Sequence, residues 1–539
     1  MSADARPTDT APSPPRRRLR RHWPAMGMFL GVVVVGAFII LYHTPWGVGL
    51  TADGLFYFSA AENFAHGRGI YWAGSGGQLK PLVHFPPSYP FVLGLLLKLG
   101  VPLDEGARWL SAALFGVNAS LLGLLVYFGT QHLWLGLVAS VIWLTSPVMA
   151  FTHLAAMSEP VYLALSLASL NLLALHLVTP RRGTLLLAGL ATSLACLTRY
   201  VGASLLIGLP VALLCLPRGP LRTRVRDTLA FIGLAYVPVG LWLSRNMLLT
   251  GSATNRSFGF HPPSAETLRH FLDLVSEWVV PGLHSHWLEV GVMIVAFAAL
   301  SVLSIRHHRL PDRRRPLAPV LSLLALLCLA SYLLLLTASL AFFDASTRLD
   351  NRILSPVYLM AVVAILCTLG FLLPKGRWSL LGIPVVLAAM WATVPHAVDE
   401  SRGLLTAMRQ EGLGFSSRSW QQSTTVAWLQ TLSPEAVIYT DQVAAVRYLV
   451  SRETHSIPQT YDPVTARLRG DYEQQLQAMR ASLQTPGAAL VLFASTNLPQ
   501  EAATLGDLTS GLVLLATTSD AVIYVDPTSP IRPPLPRLE

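Results

Sequence analysis

Apolar residues in this chain come in blocks rather than in stripes. From Pro24 to Tyr42 the sequence PAMGMFLGVVVVGAFIILY carries no charge. A helix needs about 20 apolar residues to cross the hydrocarbon core of a bilayer, and this run has that length. Further blocks follow at Ala107–Gly129, Leu133–Phe151, Val161–Val178, Thr184–Leu197, Val201–Leu216, Thr228–Leu248, Trp287–Ile305, Leu317–Phe342, Ile353–Leu373 and Ser379–Val394. The pattern predicts an α-helical polytopic membrane protein with about 11 transmembrane helices. The fifth and sixth blocks are short and flank Arg199, which predicts a tight hairpin there.

After residue 396 the blocks give way to shorter, mixed segments. Thr424–Leu432, Gln442–Val450 and Asp471–Leu483 read as helices, and Ala436–Thr440, Ala488–Phe493, Leu512–Thr517 and Ala521–Val525 as strands. Helices alternating with short Val/Ile-rich strands predict a small α/β domain over 396–527. It carries no Gly-rich phosphate loop and no catalytic motif. The expected organisation is a disordered basic leader (1–23), a membrane domain (24–395) whose first outer loop spans 43–106, the α/β domain, and a disordered Pro-rich tail (528–539).

Composition agrees with the blocks: 53% of residues are hydrophobic and only 13% charged, against about 25% charged in soluble domains. The formal net charge of +10 raises the question of a nucleic-acid partner. Its placement answers no. The basic clusters Arg16 to Arg21, Arg181 with Arg182, Arg218 to Arg226, Arg306 to Arg315, and Lys375 with Arg377 all fall on one side if the N-terminus is cytoplasmic, as the positive-inside rule requires. An odd number of spans then puts the C-terminal domain outside. The expected location is the cytoplasmic membrane, multi-pass. The four cysteines lie in apolar runs with no metal-ligand spacing.

Candidate chemistry sits at the outer ends of the blocks. Asp53, in TADGLFYF, follows the first block, and Phe56, Tyr57, Ala60, Ala61 and Phe64 recur after it at helical spacing, so a helix on the membrane surface follows. A helix cap would account for Asp53 equally. Glu159, in AAMSEPVY, stands at a span boundary, where an acidic side chain is either a helix start or a functional group. Arg199 in CLTRYVG, Arg245 in WLSRNMLLTG, and Arg348 and Arg352 in STRLDNRILSP all fall on the outer side. They snorkel to headgroups or converge on a phosphate. His43, His66, His84 and His153 follow no metal-site template.

These segments occur in a telling order: an outer loop with an Asp and a surface helix, PPSYPFVLGLLLKLG, SEP, LTRYVG, SRN and NRILSPVYL. The chain from Pro24 to Val394 thereby resembles the polytopic glycosyltransferases of the GT-C fold, and among them the bacterial protein mannosyltransferases and lipid A aminoarabinose transferases. The resemblance implies transfer of a hexose or pentose from a polyprenyl-phosphate donor to a glycan, lipid or protein acceptor on the outer face, with inversion, among membrane lipids. It maps the family's acidic positions onto Asp53, as base or metal-linked carboxylate, and Glu159. Tyr57, His84, Arg199, Arg245, Arg348 and Arg352 become candidate substrate-binding residues, and a divalent metal ion a candidate cofactor. Asp53 is followed by Gly54, a departure from the paired acidic motif of many relatives. Two other readings stand beside this one. A transporter or lipid flippase predicts repeated halves and broken midplane helices, and no repeated half is visible. A non-catalytic assembly subunit would keep the fold without the activity.

Overall fold

In a computed structural model of the protein, the described residues are 23–74, 78–217, 219–256, 258–260, 262–279, 286–309, 317–343, 347, 349–373, 382–462, 467–485, 487–493 and 503–534. Residues 1–22 of the basic leader, and Arg348, lie outside them.

The apolar blocks are helices. They form α1 (Trp23–His43), α4 (Leu103–Thr130), α5 (Leu133–Thr145) with α6 (Pro147–His153), α7 (Glu159–Val178), α8 (Arg182–Cys196), α9 (Ala203–Cys215), α10 (Leu221–Thr250), α12 (His286–Arg309), α13 (Ala318–Phe342), α14 (Asn351–Leu372) and α15 (Gly382–Glu411). By length and apolar character, 7 described helices can cross a membrane, or 8 if the bent pair α5–α6 counts as one. The third block is broken by 61°, because Pro147 has no N–H to continue α5 and instead starts α6, with Ser146 as its N-cap. Between α8 and α9 a 3-10 turn, Tyr200–Gly202, follows Arg199.

The loop between the first two long helices is more ordered than its sequence indicated. The expected helix after Asp53 is α2 (Ala52–Ala65), capped by the Thr51 hydroxyl, which accepts from Gly54 N. A hairpin, β1 (Tyr71–Ala73) and β2 (Leu79–Pro81), and a second helix, α3 (Ser88–Lys98), complete it. A strongly amphipathic helix, α11 (Ala265–Val279), lies in the loop between α10 and α12.

The last helix corrects one boundary. α15 runs unbroken through residue 396 to Glu411, past the end of its apolar block, so the transition read from hydropathy falls inside a helix. The remaining elements are α16 (Arg418–Gln421), α17 (Thr424–Thr431), β3 (Ile438–Thr440), α18 (Val443–Val450), β4 (His455–Ser456), β5 (Tyr461–Asp462), β6 (Arg467–Leu468), α19 (Tyr472–Leu483), β7 (Ala489–Leu492), α20 (Leu505–Thr509), β8 (Val513–Thr517) and β9 (Val522–Val525). β4, β3, β7, β9 and β8 make a five-stranded sheet in that order. β3 is parallel to β4 and β7, and β9 antiparallel to β7 and β8. Residues 528–534 of the Pro-rich tail are placed rather than free. Ile531 packs on the core beneath the sheet, and Trp428 Nε1 donates to the Arg532 carbonyl at 3.0 Å. An apolar side chain and a buried indole hold a segment whose composition alone reads as disorder.

Two close approaches set the frame. α1 crosses α4 at Gly36 and Gly116, where a side chain on Gly116 would meet the Val33 carbonyl at 2.1 Å; small residues permit such contact between apolar helices. Gly116→Val is expected to force α1 off α4 and cost more than about 3 kcal/mol, the upper range for overpacking. Gly31→Val, which meets nothing within 4 Å, serves as its control. Thermal unfolding of the two variants in detergent checks this: equal midpoints would refute the crossing. The second approach is a seam of extended backbone. Gly49 N donates to the Leu154 carbonyl and Ala156 N to the Gly49 carbonyl, while Phe415 N donates to the Leu50 carbonyl. Gly414 sits there at φ +61, and a side chain on it would strike the Leu50 carbonyl at 2.2 Å. The seam fixes the start of α2, the approach to α7 and the C-terminal region against one another.

Candidate active site

Asp53 lies in the first turn of α2 and Glu159 in the first turn of α7, both favoured by the positive end of a helix dipole. The seam brings these two helix starts together. Arg352, at the start of α14, closes the cluster. Its Nη1 is 3.4 Å from Asp53 Oδ2, and its Nε is 3.3 Å from Glu159 Oε1 and 3.6 Å from Asp350 Oδ2. Arg199 comes from the turn between α8 and α9 and ion-pairs Glu159 Oε1 from the other side. Thus Asp53, Glu159, Arg199 and Arg352 meet at one point.

Exposure separates their roles. The Glu159 side chain is 2% exposed and the Asp53 side chain 39%. Glu159 is therefore enclosed by its two arginines, and Asp53 opens outward. The second Glu159 oxygen, Oε2, is buried with no hydrogen-bond partner among the described residues. Asp350 also caps α14, accepting from Ile353 N at 2.8 Å. Three carboxylates and two guanidiniums give the cluster a formal net charge of −1.

Tyr57, one turn after Asp53 on α2, is buried, with its hydroxyl 3.2 Å from the Ser158 hydroxyl. Ser158 in turn accepts from Arg199 Nη1 at 3.4 Å. Burial pushes the Tyr57 phenol well above its ordinary range, outweighing the Arg199 charge that lowers it. Tyr57 stays a neutral hydrogen-bonding group that helps aim Arg199. His84 stacks edge-on against Phe85 at 4.7 Å, and Phe85 packs on Tyr57 at 5.0 Å. His84 thus borders the cluster's aromatic wall.

Arg245 goes elsewhere. Its guanidinium lies over the rings of Trp242 and Tyr71, at 4.6 and 5.8 Å, and donates to the Leu82 carbonyl and to Asn246 Oδ1. It braces the β1–β2 hairpin against α10. Arg348 is outside the described residues. Two site residues were not singled out from sequence: Asp350, the third carboxylate on Arg352, and Ser158, the hydroxyl between Tyr57 and Arg199. Both adjoin a chosen residue, Asp350 in LDNR and Ser158 in SEP, which is the only local signal they give. Among the described residues no group of three or more His, Cys, Asp or Glu side chains is placed to hold a metal ion. The three carboxylates instead converge on the Arg352 guanidinium.

The chain has the GT-C fold of polytopic membrane glycosyltransferases, built here with a small C-terminal sheet region. It is similar in structure to ArnT from Cupriavidus metallidurans bound to undecaprenyl phosphate, with 15% identity and a TM-score of 0.55 over 94% of this chain and 98% of that one. It is also similar to the oligosaccharyltransferase of Archaeoglobus fulgidus in complex with Zn and sulfate (14%, 0.51, over 92% and 73%). A third likeness is to the arabinofuranosyltransferase AftD from Mycobacteria (15%, 0.50, over 93% of this chain and 42% of that chain). No family model and no curated protein sequence matches the chain.

Proposed function

We propose that the protein is a membrane glycosyltransferase that moves a sugar from a polyprenyl-phosphate donor to a hydroxyl acceptor on the outer face of the cytoplasmic membrane. The observation that carries this is the Asp53–Arg352 pair: an outward-facing carboxylate beside a guanidinium anchored from below by buried Glu159. A carboxylate within hydrogen-bond reach of an acceptor hydroxyl is a general base, and a fixed guanidinium beside it stabilises a departing phosphate. The bound ligand of ArnT, a lipid phosphate, supports the same substrate class.

In the proposed reaction the acceptor oxygen attacks the anomeric carbon and its proton passes to Asp53. The bond from that carbon to the phosphate oxygen breaks, and the electron pair leaves on the polyprenyl phosphate. A single displacement inverts the anomeric configuration. The cluster's net negative charge adds a condition. A phosphate binds well only if Arg352 gives up one of its carboxylates, and Asp53 is the more exposed partner, whereas Glu159 is locked by Arg199. Donor binding then frees Asp53, so the base is released when the leaving group is in place.

Arg352→Lys tests the phosphate contact. A lysine offers a point charge where arginine offers a fork. The variant is expected to need about tenfold more polyprenyl-phosphate sugar for half-maximal transfer, and to turn over more slowly if the contact tightens as phosphate leaves. A donor titration that matches wild type would remove the phosphate role and leave Arg352 as a structural ion pair.

The outer-face assignment rests on the basic loops. A phosphatase reporter fused after Pro534 is expected to be active, since it works only when exported. An inactive but stable fusion would reverse the orientation.

A further inference from the structure

A second cleft opens on the other side of α2. Its lining includes Trp46, Phe58, Phe415 and Tyr448, with Asp104 and Gln421, and it encloses about 300 Å³. Phe58 stands five residues after Asp53, about 140° around a helix of 3.6 residues per turn. The cleft therefore faces away from the Asp53–Arg352 pair. It lies between the first outer loop, the start of α4 and the C-terminal region.

Its chemistry is selective. Three walls are aromatic, and Phe58 meets Tyr448 edge-on at 5.7 Å. Asp104, exposed in the first turn of α4, forms no ion pair with any described Lys or Arg, and the Tyr448 hydroxyl has no hydrogen-bond partner among the described residues. The two are near enough that the Asp104 charge adds to burial in pushing the Tyr448 phenol up to about 12. Tyr448 therefore stays protonated as a donor, and the Asp104 carboxyl oxygens face the cleft as acceptors. An unpaired carboxylate repels a phosphate or another anion. An unpaired donor and acceptor, set among ring faces, fit a molecule with apolar C–H faces and hydroxyls that both donate and accept. The volume is at the lower end for small-molecule sites, about 300–1,000 Å³.

We propose that this cleft is a saccharide-binding subsite, which holds a sugar ring of the acceptor away from the reacting centre. The ring packs on the partly open Trp46 side of the cleft, with one hydroxyl donating to Asp104 and another accepting from Tyr448. Calling the saccharide part of the acceptor rests on the glycosyltransferase reading; the binding itself does not. The seam at Leu50 and Gly414 ties the floor of the cleft to the start of α2, so a sugar held there is registered against Asp53.

The test is saturation-transfer NMR on the full chain in lipid nanodiscs, free of sugar-headed detergent. The probes are the methyl glycosides of glucose, galactose, mannose, arabinose and glucosamine, with tetramethylammonium as an amine control. At least one glycoside is expected to bind, with affinity falling fivefold or more in Asp104→Asn and in Tyr448→Phe and staying unchanged in Asp53→Asn. Tyr448→Phe removes only a hydroxyl, so it guards against misfolding of Asp104→Asn or of a Trp46→Ala variant. Three results would overturn the subsite: no glycoside binds, binding survives both cleft substitutions, or only tetramethylammonium binds. Loss of binding in Asp53→Asn would also overturn it by placing the sugar at the reacting centre. Transfer from a polyprenyl-phosphate sugar, measured separately, tells failure of the glycosyltransferase reading from failure of the subsite.

Discussion

Asp53→Asn is expected to reduce sugar transfer by about a thousandfold or more while leaving the unfolding temperature close to that of wild type. General base catalysis contributes about 10²–10⁴ in rate, and an amide cannot take the acceptor's proton. The fold loses little, because the Asp53 side chain is 39% exposed and its ion pair with Arg352, at 3.4 Å, is partly solvated; such pairs are worth about 0–1 kcal/mol. The α2 N-cap is Thr51, not Asp53, so the helix start survives. The measurement is single-turnover transfer from a polyprenyl-phosphate sugar alongside thermal unfolding. Turnover near wild type would make Asp53 a solvated loop carboxylate and sink the base assignment.

Glu159→Gln is expected to fail differently, losing stability and activity together. Glu159 is enclosed, and its Oε1 faces both Arg199 and Arg352. Removing the charge leaves Arg199 at depth without its carboxylate, and breaking a buried pair from one side costs about 3–5 kcal/mol. Arg352 also loses its lower anchor, so donor affinity falls with turnover. The double variant Glu159→Gln with Arg199→Gln is expected to regain part of the stability and none of the activity, because coupled partners do not add. A Glu159→Gln protein that unfolds at the wild-type temperature and binds donor normally would show that the carboxylate does not organise the arginines. The two variants are thus expected to separate: loss of the open carboxylate costs reaction without fold, and loss of the closed one costs both.

The sequence singled out charged residues at block ends more readily than it told which of them meet. Both acidic candidates reach one cluster, with two of the three described candidate arginines, because each stands at the end of an apolar block. Depth in the membrane is legible from block boundaries. Direction around a helix or within a turn is not. Arg245 and Arg352 both occur beside Asn at the end of a span, yet one stacks on Trp242 and Tyr71 and the other joins three carboxylates. No local pattern separates them.

By itself the sequence determined the membrane class, the helical blocks, the helix after Asp53 and the strands of the C-terminal region. These follow from block length and periodicity, which act over about one helix turn to one membrane thickness. Only the tertiary structure decided that Arg352 pairs with Asp53, 299 residues away in sequence, that Glu159 is sealed between two guanidiniums, and that Asp104 and Tyr448 share a cleft. It also decided that α15 runs on to Glu411 and that residue 531 is held in a core. The pairings among Asp53, Glu159, Arg199 and Arg352 and the shared cleft depend on contacts between distant segments, several of them set by the Gly49–Leu50 seam. Such contacts form only when the whole chain packs, and hydropathy read along the chain carries no record of them.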